Sequence, residues 1–263
     1  MDLKLRGRRA LVLAASKGLG RAAAEALAAE GATLAISSSN SGRCRDAAGA
    51  IAQRHRVRVV PIVADMFEPA SMDRLFAQAV DALGGIDILF LNHPGPALGR
   101  AIDIEVDALE SQFRMVVKNP IRLISLALAG MRERRWGRIM SVGGASMITP
   151  LPNKVMDDTL RPAMAGYSKT LANEVAAEGI TVNMVVPGTF VTDRVHESTA
   201  ANAALWGVSV EEAMQRRIEN IPAGRFGKLE EFGALVAFLC SDSAAYINGS
   251  VIRVDGSQIR SIY

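Results

Sequence analysis

Short apolar runs alternate along this chain with longer amphipathic stretches, and that rhythm sets the expected architecture. The runs are Ala10–Ala14, Thr33–Ile36, Val57–Ala64, Ile86–Leu91, Arg138–Val142, Thr181–Val186 and Val251–Val254. Most are continuous rather than alternating, as strands buried on both faces of a parallel sheet require. Between them the spacing predicts helices over Gly20–Glu30, stopped by Gly31, and over Ala70–Leu83, stopped by Gly84 and Gly85. Longer helices are expected at about Val106–Arg135 and Asp157–Glu178. Strands alternating with helices imply right-handed crossovers. The expected class is therefore α/β, a doubly wound sheet of seven mainly parallel strands with helices on both faces. The irregular stretch 188–224, with a helix at Val210–Asn220, is the largest insertion and lies where a substrate lid would sit. No repeat and no low-complexity linker divides the chain, so residues 1–263 read as one domain.

Composition narrows the partners. Hydrophobic residues at 49% and charged residues at 22% exclude a disordered chain. Thirty basic against 27 acidic side chains leave a dispersed +3, too little to argue for nucleic acid or a membrane surface. Cys44 and Cys240 form neither a disulfide framework nor a metal-ligand cluster, which points to a reducing cytoplasm and no metal. The first apolar run is too short for a signal segment or a span. A small-molecule substrate is the expected partner.

The first strand leads into Ala14-Ala15-Ser16-Lys17-Gly18-Leu19-Gly20, which opens a helix. Gly18 and Gly20 let backbone N–H groups approach a phosphate at a helix N-terminus; close packing of a helix start is the other reading. Further along stand Asp65 after the third strand, Asn92-His93-Pro94-Gly95 and Gly179-Ile180-Thr181-Val182-Asn183. Pro187-Gly188 with Thr192, Ile221-Pro222-Ala223-Gly224-Arg225-Phe226-Gly227 and Val254-Asp255-Gly256 complete the set. On these motifs the chain resembles, over essentially its whole length, a short-chain dehydrogenase/reductase of the 3-oxoacyl-carrier-protein-reductase-like branch. Ala14 replaces the first glycine of that family's T-G-x-x-x-G-x-G. The resemblance implies a Rossmann-type domain in which Ser16, Lys17, Gly18, Leu19, Gly20, Ser38, Asp65, Asn92, Gly95, Pro187, Gly188 and Thr192 contact a nicotinamide dinucleotide. The second strand ends in Ser37-Ser38-Ser39-Asn40, without the acid that holds a ribose 2′-hydroxyl in NAD sites. Lys17 and Arg43 suit a 2′-phosphate, so NADP(H) is expected, with NAD(H) the alternative.

The family's chemistry uses an Asn, a Ser, a Tyr and a Lys, and here the match breaks. Counted from flanking motifs, those positions fall on Val116, Gly144, Asp157 and Arg161. Candidates for an atypical acid/base site are therefore Asp157, Arg161, Ser146 and His93, the last being the titratable group beside the expected nicotinamide ribose. Pro120 suggests a helix bend through which Asn119 stands in for the missing asparagine. Tyr167, followed by Ser168-Lys169, lacks a lysine four residues on and reads as a packing residue. The leading expectation is an oxidoreductase for a carbonyl or alcohol substrate, with acyl-type substrates included. The alternatives are a non-catalytic homologue serving as subunit of an active relative, and non-redox chemistry on the same scaffold. The resemblance also implies a homodimer or homotetramer paired through the helices near 106–135 and 157–178, or a hetero-oligomer with an active relative.

Overall fold

The computed structural model describes residues 2–262. Seven strands form one parallel sheet: β1 (Arg9–Val12), β2 (Thr33–Ser38), β3 (Val59–Val63), β4 (Ile88–Leu91), β5 (Gly137–Val142), β6 (Ile180–Pro187) and β7 (Val251–Val254). Their spatial order is β3-β2-β1-β4-β5-β6-β7. The expected strands are all present: the central ones are buried on both faces and carry apolar runs, while the edge strands β3 and β7 are only partly buried. Alternation still sorts their side chains. Leu11 and Leu13 face one layer with Leu75, Leu123 and Ile139, while Ala10 and Val12 face the other with Leu27, Ile36 and Phe232. Each such burial is worth about 1.5–3 kcal/mol against exposure.

Helices α1 (Gly18–Ala29), α2 (Ser41–His55) and α9 (Leu229–Leu239) cover one face; α3 (Pro69–Leu83), α5 (Asn119–Glu133) and α6 (Val155–Val175) cover the other. The helix α2 escapes sequence inspection because its buried stripe is Cys44, Ala47, Ala48 and Ile51, mostly small residues in a polar stretch. Asn40 starts it, its Oδ1 accepting from the Arg43 N–H at 2.8 Å. The stretch expected as one helix from Val106 is divided into α4 (Val106–Phe113), a π turn over Arg114–Lys118, and α5. Pro120 has no N–H to continue the regular ladder, and the Asn119 N–H reaches back to the Arg114 carbonyl.

The stretch 188–224 is more helical than its composition suggests: α7 (Asp193–Trp206) precedes α8 (Val210–Glu219). Two features hold the frame that carries the site. At the N-terminal ends of β1 and β4, Asp87 accepts from Arg9 Nη2 at 2.7 Å and Arg134 Nε at 3.0 Å. At the opposite ends the sheet order reverses between β1 and β4, leaving a crevice where the chains leave the strands.

Candidate active site

The crevice is floored by the turn joining β1 to α1. Ala14 takes φ +48°, a left-handed conformation that costs an L-residue strain. A Cβ on Gly20 would stand 2.3 Å from the Ala14 carbonyl oxygen, so the turn closes only because residue 20 has no side chain. Gly18, at φ +58°, opens upward, with Thr192 Cγ2 the nearest atom at 3.7 Å from a Cβ built there. Lys17 precedes α1 without capping it through its side chain, so the first-turn N–H groups of the helix present their positive end to the crevice. Bare backbone plus an uncapped helix N-terminus is the donor set a pyrophosphate needs, and these residues fit a dinucleotide.

The rim is polar on the β2 side. Ser16 Oγ and Ser38 Oγ lie 3.0 Å apart, and Ser38 Oγ accepts from the Asn40 N–H at 3.2 Å. No carboxylate ends β2, and Arg43 lies in the first turn of α2. Asp65 Oδ1 accepts from the Phe67 N–H at 2.9 Å, which places an exposed acid at the entry to α3. Asn92 Nδ2 donates to the Ala14 carbonyl at 3.5 Å, joining the end of β4 to the glycine turn. Leu19, in the first turn of α1, packs against the core, and Gly95 lies in the loop after β4. Across the crevice, Pro187 ends β6. A Cβ on Gly188 would stand 2.7 Å from Asp255 Cα. Thr192 Oγ1 caps α7, accepting from the Val195 N–H at 3.4 Å. Lys17 does not stand alone in solvent: its Nζ donates to Asp193 Oδ2 at 3.0 Å.

The residues at the chemical end meet around one small cavity of about 10 Å³, lined by Leu91, His93, Val116, Ser141, Arg161 and Met184 among others. Arg161 closes it. Its Nε donates to Asp157 Oδ1 at 2.5 Å and its Nη1 to the Val142 carbonyl at 2.5 Å, with both side chains of the pair nearly buried. Gly144 makes room for this: a Cβ there would lie 3.2 Å from Arg161 Nε. His93 Nδ1 lies 2.6 Å from the Pro94 carbonyl oxygen. A carbonyl can only accept, so Nδ1 carries a hydrogen and Nε2 is the nitrogen that gains or loses the proton. Ser141 Oγ, on β5, is buried without a hydrogen-bond partner.

Other expected residues lie elsewhere. Ser146 is buried in the turn Ala145–Met147 and does not line the cavity. The expectation for Asn119 is corrected: its Nδ2 donates to the Met66 carbonyl at 2.6 Å, so it holds the loop after β3 rather than entering the site. Tyr167 packs against the core beside α5, where burial and then the charge of Glu174 push its phenol up. Two residues were not singled out as site residues from sequence. Ser141 was legible as a serine within the fifth strand that flanks the serine position taken by Gly144, and Asp193 only as the acid following Thr192.

Residues 13–257 match the family described as enoyl-(acyl carrier protein) reductase. The chain is 32% identical to a 3-oxoacyl-[acyl-carrier-protein] reductase of Aquifex aeolicus, over 97% of this chain and 99% of that one. It is 30% identical to the NADPH-dependent reductase BacG of Bacillus subtilis, over 97% and 99% respectively. Among solved structures, the L-sorbose reductase of Gluconobacter frateurii complexed with NADPH and L-sorbose superposes with a TM-score of 0.95 at 27% identity, each chain covered completely.

Proposed function

The chain belongs to the short-chain dehydrogenase/reductase superfamily, and on that premise we propose that it is an NADP(H)-dependent oxidoreductase interconverting a ketone and a secondary alcohol. The cofactor is NADP(H). An NADPH complex of a superposing reductase and an NADPH-dependent relative support this, together with the absence of a carboxylate at the end of β2. Bound cofactor supplies or takes the hydride. What the chain must supply is a proton at the substrate oxygen.

In this reading Val116, Gly144, Asp157 and Arg161 stand where ordinary relatives carry Asn, Ser, Tyr and Lys, and the proton comes from another group. The single observation behind the reading is that His93 and Arg161 line the same cavity at the ends of β4 and β5. His93 serves as the acid/base through Nε2. Arg161 is a fixed cation beside the substrate oxygen, held by Asp157 and the Val142 carbonyl. Asp157 accepts from Arg161 Nε and so orients the guanidinium. Ser141 is the third polar side chain at the cavity, beside His93 and Arg161, and in this reading its Oγ hydrogen-bonds the substrate. We extend the reading to residues 188–224, where α7 and α8 form a lid over the crevice.

The test is NADPH oxidation by the purified protein against a panel of L-sorbose, a 3-oxoacyl thioester and simple ketones. Turnover with one of them, faster with NADPH than with NADH, is the expected result. Tight NADPH binding without turnover across the panel and a set of further ketones favours the non-catalytic subunit.

A further inference from the structure

The lid and the nucleotide turn are joined by one ion pair. Lys17 is the last residue before α1 and Asp193 the first of α7, and Lys17 Nζ donates to Asp193 Oδ2 at 3.0 Å. The contact is local to two meeting helix starts, since Gly18 faces Thr192, the cap of α7. Both charges are about half exposed or more, at 50% and 66%, so the pair is reversible rather than locked. The hydrogen bond and charge of Lys17 hold the Asp193 carboxyl below the usual carboxylate range, and His196 and Arg43 add to the pull. Asp193 is thus an anion set among three basic side chains, Lys17 before α1, Arg43 of α2 and His196 of α7, on the side of the crevice where β2 ends without an acid. Lys17 and Arg43 are also the two cations that the NADP(H) reading assigns to the 2′-phosphate. One lysine cannot neutralise a carboxylate and a phosphate fully at once.

We propose that Asp193 is a specificity-determining residue: it stands in for the cofactor's 2′-phosphate as the partner of Lys17, and so latches the start of α7 to the nucleotide turn until Lys17 turns to the phosphate. The inference rests on the NADP(H) reading. It makes the latch respond to a phosphorylated cofactor and not to NADH, which leaves Lys17 on Asp193.

The experiment is a set of NADPH and NADH fluorescence titrations on wild type, Asp193→Asn, Lys17→Met and the double variant, with hydrogen exchange measured across residues 193–206 of the nucleotide-free proteins. Asp193→Asn should tighten NADPH by about fivefold and leave NADH unchanged. In the Lys17→Met background the same change should lose most of its effect. Lys17→Met lies outside α7, so faster exchange in that helix can reach it only through the pair, and it is expected. An equal shift for both cofactors, no shift, or an undiminished shift in the Lys17→Met background overturns the proposal. Unchanged exchange in Lys17→Met overturns the latch. Wild type preferring NADH overturns this inference and the NADP(H) reading together. Wild type preferring NADPH with no response to Asp193→Asn overturns the inference alone.

Discussion

At Gly18 the backbone turns through φ +58° and the space above it opens toward Thr192. A branched side chain there meets both constraints at once, the left-handed backbone and the approach of a phosphate. Gly18→Val is expected to weaken NADPH and NADH alike by about tenfold or more, measured by titration. A loss confined to one cofactor would show that the turn does not carry the pyrophosphate. The glycine turn was legible in sequence because its spacing is local, strand to turn to helix within a few residues. The meeting of His93, Ser141 and Arg161 was not, because they come from different segments and only the sheet brings them together. Asn119 misled for the opposite reason: a nearby proline suggested a bend, but its amide finds a carbonyl partner in Met66 before it can reach the cavity.

Between β1 and β4 the clamp of Asp87 with Arg9 and Arg134 fixes the strand ends farthest from the crevice. Burial pushes the Asp87 carboxyl up, but the hydrogen bonds and charge of Arg9, with the charge of Arg134, outweigh it and hold the group below its usual range. A depressed carboxyl contributes stability that is present above the unfolded value near ~4 and lost as pH falls through the folded value. Asp87→Asn should therefore cost about 2 kcal/mol at neutral pH in denaturant unfolding, with the gap to wild type closing as pH drops below ~4. A gap that does not change with pH would mean the clamp acts through packing alone. The central strands could be read from sequence because burial on both faces demands continuous apolar runs, and the half-buried edge strands β3 and β7 still carry short apolar stretches. α2 and α7 could not, since alanines and polar residues fill their inward stripes, and tertiary contact rather than periodicity decides them.

The whole molecule places the glycine turn and the cavity lined by His93, Ser141 and Arg161 on the same side of one parallel sheet, at the ends of β1, β4, β5 and β6. Val106 and Phe113 of α4 remain exposed, and this is the region through which the proposed homodimer or homotetramer would pair. Sedimentation at micromolar concentration should show an oligomer, and a monomer alone would contradict it. The central claim is that His93 has taken over the proton transfer that relatives give to a tyrosine. It is tested most directly by turnover of His93→Gln at saturating NADPH, on whichever ketone the wild type reduces. One positioned acid is worth about 10²–10⁴ in rate. The account predicts a fall in kcat of that size with NADPH affinity unchanged. A kcat equal to that of the wild type would contradict it.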